Sequence, residues 1–138
     1  MQKTDILYVE DDSDFTEIVE RALNQVDGNT QLTVLENGAL AMNILNELAE
    51  GKNKPRLILL DMNLPGISGL DVLKKIRETQ ALRCIPVIMF STSENPKDIK
   101  ASLECGANAY VTKPMGYLNL ISCLKSMHSF WLNTASCA

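Results

Sequence analysis

The sequence predicts a doubly wound α/β fold, a five-stranded parallel sheet with helices on both faces. Three observations predict it. Short apolar runs recur at Ile6–Val9, Leu32–Leu35, Leu57–Leu60, 87–90 and Tyr110 with Val111, each too short for a spanning helix and bounded by turn formers. Segments of helical period separate them. Strict alternation of the two requires each crossover to return the chain to the same end of the sheet, which makes the strands parallel and covers both faces.

Taken in order, the first strand leads into a helix whose face carries Phe15, Ile18, Val19, Ala22, Leu23 and Val26, and the second into one carrying Leu40, Ala41, Ile44, Leu45 and Leu48. Val72, Leu73 and Ile76 mark the third helix, Ile99 and Leu103 a fourth with the thinnest pattern, and Leu120, Ile121, Leu124, Met127 and Trp131 the fifth. Ser13 and Asp14 are suited to cap helix one, Asn37-Gly38 to open helix two, Gly69 helix three and Asn95-Pro96 helix four. Gly51 and Gly106 suit helix C-termini. All five runs are expected to be buried.

The 138 residues fit one domain, since compact domains most often span roughly 100 to 150 residues, and leave no room for a second folded output module. The expected core is about 4–128, with an extension over 129–138. Apolar residues at 46% and charged residues at 22% describe a chain able to bury a core. Only the run of four apolar residues Ile6–Val9 leads up to Glu10-Asp11-Asp12, too short for a secretory or spanning segment, so a cytoplasmic protein without membrane attachment is expected. A net charge of −4 argues against nucleic-acid binding, which needs clustered Lys and Arg. Cys84, Cys105, Cys123 and Cys137 form no Cys-x-x-Cys pair, and His128 is the sole histidine. Reduced, space-filling thiols are expected rather than a zinc site.

In doubly wound sheets ligands bind beyond the carboxyl ends of the strands. Here strand one ends in Glu10-Asp11-Asp12, strand three in Asp61, strand four in Ser91-Thr92-Ser93, and strand five runs through Thr112 into Lys113-Pro114. A flavodoxin-like order 2-1-3-4-5 brings Asp11 beside Asp61 at the switch point. Carboxylates at such a place repel by about 4 kcal/mol per pair at 4 Å with an effective dielectric of about 20, and a cation is the natural remedy. An all-oxygen donor set with few carboxylates suits Mg2+, with Asp11 and Asp61 as direct ligands. An ordinary aspartate, titrating near about 3.9, is ionised at neutral pH and attacks phosphorus without a general base. Asp61 is therefore a candidate phosphoacceptor, with Lys113 and Ser91 addressing the phosphoryl oxygens.

Tyr8-Val9-Glu10-Asp11-Asp12, Leu59-Leu60-Asp61-Met62-Asn63-Leu64-Pro65-Gly66 and Tyr110-Val111-Thr112-Lys113-Pro114 resemble the motifs of two-component response regulator receiver domains, whose fold is CheY-like. The resemblance covers nearly the whole chain. It implies that Glu10 and Asp11 form the acidic pocket, Glu10 acting directly or through a water, and that Asp12 is peripheral. It further implies that Asp61 is phosphorylated by a sensor histidine kinase and that the main-chain carbonyl of Asn63 joins the Mg2+ shell. Ser91 then stands at the conformational switch, Tyr110 at the aromatic rotamer position and Lys113 at the phosphoryl contact, with a cis bond before Pro114. Asn63, Thr92 and Ser93 flank the phosphoryl group. Such a domain signals by phosphorylation-dependent protein contacts, and its only chemistry is its own phosphorylation and dephosphorylation.

Ser91 and Met115 replace a frequent threonine and phenylalanine, and Gly51-Lys52-Asn53-Lys54-Pro55 lengthens the approach to strand three. None of these removes a chemical part. The tail Ser129-Phe130-Trp131-Leu132-Asn133-Thr134-Ala135 resembles that of single-domain regulators paired with phytochrome histidine kinases. Phe130 and Trp131 either cover the domain's own core or anchor a homodimer together with helix four, strand five and helix five. Two other classes of function are weighed. A phosphohydrolase forming an aspartyl phosphate needs a second acid where Asn63 stands, and a cap domain. An interaction domain that has lost phosphorylation would not be expected to keep Glu10, Asp11, Asp61, Ser91 and Lys113 together.

Overall fold

A computed structural model describes residues 3–134. The chain alternates β1 (Ile6–Val9), α1 (Ser13–Val26), β2 (Leu32–Leu35), α2 (Gly38–Glu50), β3 (Leu57–Leu60), α3 (Gly69–Glu78), β4 (Val87–Ser91), α4 (Pro96–Glu104), β5 (Ala109–Thr112) and α5 (Tyr117–Met127), and closes with a π-helical turn over His128–Thr134. The sheet order is β2-β1-β3-β4-β5, every pairing is parallel, and Val9 lies level with Leu60 across the central pair. The expected fold class and strand order are those observed.

Alternation along the strands sorts the core into two halves. Leu7, Val9, Ile58, Leu60, Val87 and Met89 face α2 and α3, where they meet Ala41, Leu45, Leu48, Val72, Leu73 and Ile76. Ile6, Tyr8, Leu57, Leu59, Ile88 and Phe90 face α1 and α5 and meet Val19, Ala22, Leu23, Leu120 and Leu124. β1, β3 and β4 are buried along their length, whereas β2 and β5 are half-buried. The expectation of five buried strands is thus corrected at the edges, where a strand has a neighbour on one side only.

The helix starts follow the sequence with one correction. Asp12, not Ser13 or Asp14, caps α1, accepting from the Phe15 N–H at 3.1 Å. Ser13 already has helical geometry, so the acid before it supplies the oxygen. Asn37 and Asn95 cap α2 and α4, with Pro96 in the first turn. At α3 a full capping box forms: Ser68 Oγ accepts from the Asp71 N–H at 3.2 Å and Asp71 Oδ2 from the Ser68 N–H at 3.1 Å. α4 is the helix with the weakest apolar face, as its pattern implies. Ser102 is its one buried residue, and Leu103 is 48% exposed.

The tail docks on its own domain. Leu132 is buried and Trp131 packs against the α1–α5 half of the core, while Phe130 stays exposed and meets the Trp131 ring edge-on at 4.8 Å. The Arg56 guanidinium donates to the Leu132 carbonyl. His128 Nε2 lies 3.1 Å from Asp27 Oδ2 and 3.0 Å from Thr30 Oγ1. Ala135 and Cys137 lie outside the described residues. The cis bond expected before Pro114 is corrected as well: no peptide among the described residues is cis. Trans is the preferred isomer even before proline, by about 0.5–1 kcal/mol, and Lys113 reaches its carboxylate partners with the trans bond.

One glycine fixes how the site is approached from below. A Cβ on Gly69 would sit 1.9 Å from the Asp61 carbonyl oxygen, so the start of α3 rests directly on the backbone of the residue that follows β3. Gly69→Ala should therefore destabilise the domain by about 1–3 kcal/mol, the usual cost of overpacking, measured as a lower urea midpoint. Gly51→Ala, whose nearest atom would lie at 3.5 Å, should leave that midpoint within about 0.5 kcal/mol of wild type.

Candidate phosphoryl-transfer site

The residues that follow β1, β3, β4 and β5 converge at one edge of the sheet. Asp61 continues β3, its N–H donating to the Val9 carbonyl at 3.1 Å, which draws it against the acids after β1. Glu10, Asp11 and Asp61 each bring a carboxylate oxygen within 4.8 Å of the others. Glu10 and Asp61 are 2% and 6% exposed, while Asp11 faces solvent. Burial of two like charges is costly unless partners compensate, and the partners are visible. Glu10 Oε1 accepts from Tyr8 Oη at 3.1 Å and from Lys113 Nζ, and Oε2 accepts from the Asp12 N–H at 3.3 Å. Lys113 Nζ also stands 3.8 Å from Asp61 Oδ2 and 4.8 Å from the centre of the Phe15 ring, where the ring face favours a cation.

β5 delivers this lysine. The Lys113 N–H donates to the Ser91 carbonyl at 2.8 Å, so the end of β5 stays paired to β4 up to the residue whose ammonium crosses the sheet edge. One ammonium among three carboxylates leaves two negative charges uncompensated. All donors are oxygen, and the set fits a divalent cation. Burial, and then the charge and hydrogen bond of Glu10, push the Tyr8 phenol well above its ordinary range, so Tyr8 remains a donor to Glu10.

Ser91 is fully buried at the end of β4, and its Oγ accepts from the Ser93 N–H at 3.3 Å. Tyr110 is half-buried against the core, with its hydroxyl donating to the Ser93 carbonyl at 2.8 Å. Asn63 and Thr92 are exposed. The Ser93 hydroxyl is turned to Asp98 Oδ2 at 2.6 Å. Asp12 lies at the periphery as the α1 cap. Three contributors lay outside the sequence reading: Tyr8, Phe15 and Asp98. Tyr8 and Glu10 share a strand face by their two-residue spacing, a signal that was available. The Phe15 and Asp98 contacts depend on where α1 and α4 come to rest.

A 2-1-3-4-5 sheet that gathers three acids, a lysine and a buried hydroxyl at its switch point defines a phosphorylation-type signalling domain of the doubly wound class. The chain belongs to the response regulator receiver domain family, which it matches over residues 6–125. It is 38% identical over 133 residues to the response regulator Rcp1 of Synechocystis, covering 95% of this chain and 90% of that one. The crystal structure of the phosphorylated cyanobacterial phytochrome response regulator RcpA superposes with a TM-score of 0.87 at 34% identity, covering 98% of both chains. The Mn2+-bound form of Rcp1 superposes with a TM-score of 0.84 at 35% identity, covering 96% of this chain and 97% of that one. The family is a signalling domain rather than a conventional enzyme.

The Tyr8 environment sets a pH dependence. Its folded pKa lies above the unfolded value of about 10, so its contribution to stability is complete below pH 10. Above that pH the unfolded chain releases a proton that the folded chain keeps, and the contribution is lost on the way up to the folded pKa. Tyrosinate absorbance on alkaline titration should show one of the three tyrosines ionising only with unfolding, and Tyr8→Phe should abolish that late step.

Proposed function

We propose that Asp61 is the phosphoacceptor of this receiver, taking its phosphoryl group from the phosphohistidine of a sensor histidine kinase. The observation that carries the reading is the cluster itself: Asp61 is buried beside Glu10 and Asp11, with Lys113 Nζ 3.8 Å from its carboxylate. In the transfer a carboxylate oxygen of Asp61 bonds to phosphorus as the P–N bond breaks, and the imidazole leaves with the electron pair and takes up a proton. Lys113, its ammonium 3.8 Å from that carboxylate, meets the phosphoryl oxygens in this reading, and Ser91, buried at the adjoining strand end, supplies a hydroxyl donor once it turns toward them.

Mg2+ is the cation we assign to the cluster, held by Asp11, Asp61 and the main-chain carbonyl of Asn63, with Glu10 directly or through a water. When bound it offsets the charge that accumulates on the transferring group. Asn63 and Thr92, exposed beside the site, and Ser93 once it is released from Asp98, flank the phosphoryl group and tune its lifetime. Water entering past them hydrolyses the acyl phosphate and returns the domain to rest. Phosphorylation draws Ser91 toward the new oxygens, turns Tyr110 inward and reshapes the surface of α4, β5 and α5.

The particular pathway is inferred from likeness to Rcp1 and RcpA over nearly the full chain, tail included. It is signalling from a phytochrome-type histidine kinase to a protein target in the cytoplasm, without nucleic acid or membrane contact. No helix among the described residues is long and apolar enough to cross a membrane. Phe130, 51% exposed on a tail already docked through Leu132 and Trp131, is the side chain through which a homodimer would extend from the α4–β5–α5 face. A phosphohydrolase role is not favoured, because Asn63 cannot serve as general acid.

Incubation with acetyl phosphate and Mg2+ should label the wild type with an acid-stable, alkali-labile phosphate, and EDTA should suppress the labelling. Asp61→Asn should take up none, by intact-protein mass spectrometry. Undiminished labelling of Asp61→Asn would refute the assignment.

A further inference from the structure

Beside the acid cluster lies a polar knot centred on Ser93. Its hydroxyl donates to Asp98 Oδ2 at 2.6 Å and accepts from the Asn95 N–H at 3.2 Å. Its main-chain N–H donates to Ser91 Oγ at 3.3 Å, and its carbonyl accepts from the Tyr110 hydroxyl at 2.8 Å. Ser91 ends β4, Asp98 lies in the first turn of α4, and Tyr110 is on β5, so a single residue ties three elements together. The Ser93–Asp98 contact has the short length of a hydrogen bond to an ionised acceptor, the stronger kind.

α4 is otherwise lightly held. Its buried residue, Ser102, donates to the Asp98 carbonyl at 2.8 Å and approaches Met62 Sδ at 3.2 Å, while Leu103 is 48% exposed. With so little apolar burial, the place of this helix depends on a few polar contacts, and Asp98 makes one that reaches outside the helix, accepting from the Ser93 hydroxyl. Position is the property a switch must control. An interaction made in one arrangement and lost in the other moves the equilibrium between them by its own worth, and one made equally in both moves nothing.

We propose that Asp98 is a positioning residue that sets how readily Asp61 is phosphorylated. By holding the Ser93 hydroxyl, it fixes the β4–α4 loop with Ser91 Oγ engaged by the Ser93 N–H and Tyr110 by the Ser93 carbonyl. Both groups must leave those partners when Ser91 turns to the phosphoryl group and Tyr110 moves inward. Asp98 thereby restrains the resting state. The proposal rests on the reading of Asp61 as the phosphoacceptor.

The test uses the full chain with acetyl phosphate and Mg2+, comparing wild type, Asp98→Ala, Ser93→Ala, the double variant and Asp98→Asn. Breaking one such bond should speed labelling about three- to ten-fold. Whatever Ser93→Ala itself does beside the phosphoryl group, Asp98→Ala should add nothing to it in the double variant, since both remove the same contact. Asp98→Asn, whose uncharged amide oxygen can still accept from Ser93 but more weakly, should fall between Asp98→Ala and wild type. In 3-fluorotyrosine-labelled protein, the Tyr110 resonance of unphosphorylated Asp98→Ala should move toward its position in phosphorylated wild type, a change that loosening α4 alone would not produce. If the wild type is labelled but Asp98→Ala is labelled at the same or a lower rate with Tyr110 unmoved, the restraint is refuted and the phosphoacceptor reading stands. If the wild type itself takes up no phosphate, the phosphoacceptor reading fails first.

Discussion

Two carboxylates after β1 and one after β3 are brought close enough for their oxygens to lie within 4.8 Å of one another, and this crowding is the constraint around which the remaining features are arranged. It follows from the backbone. β1 and β3 run side by side in register, Val9 level with Leu60, so the residues that follow them cannot avoid each other. Lys113 and the Tyr8 hydroxyl relieve part of the repulsion, both donating to Oε1 of Glu10. The uncompensated remainder is a standing preference for positive charge, and the lysine that steadies the acids is the one proposed to meet a phosphoryl group. Stability and function therefore draw on one set of contacts, and the site is a place where the fold carries electrostatic cost for the sake of chemistry.

On the proposed reading, the signal has a short path from that site. Ser91 is buried in the strand next to Asp61, and a single loop residue, Ser93, connects it to both Tyr110 and the start of α4. The path needs no rearrangement of the two core halves, whose side chains are packed on either face of the sheet. It runs through the elements with least apolar burial, the half-buried edge strand β5 and the lightly held α4. A densely packed core resists small distortions, so switching falls to its loosely fastened margin.

Much of this was legible in the sequence because the signals were of two simple kinds. Apolar runs of four or five residues separated by helical periods specify the sheet, and polar residues placed immediately after each run specify the site. Asp61, Glu10, Asp11, Ser91 and Lys113 were found in that way. What escaped the sequence depends on distance in three dimensions. Gly69 reads as a helix opener, and nothing local says that α3 returns to rest on the Asp61 carbonyl. Ser93 reads as a neighbour of the phosphoryl group, and nothing local says that its hydroxyl is bonded to a carboxylate in the first turn of α4. Ser13 and Asp12 are both good caps, and only the course of the backbone selects Asp12. Partial exposure of β2 and β5 follows from strand order, which no single run encodes. The expected cis bond before Pro114 came from resemblance alone, and the residues around it gave no independent support.

The three acids repel one another, and a divalent cation would relieve them. The most direct measurement is the melting temperature of wild type and Asp11→Asn, with EDTA and then with saturating Mg2+. Without the cation, Asp11→Asn should melt higher than wild type, because one repelling charge is gone. With Mg2+ the order should reverse, since the wild type keeps the full ligand set and gains the larger stabilisation by preferential binding to its folded state. A wild type that melts above Asp11→Asn in EDTA and does not respond to Mg2+ would contradict the account.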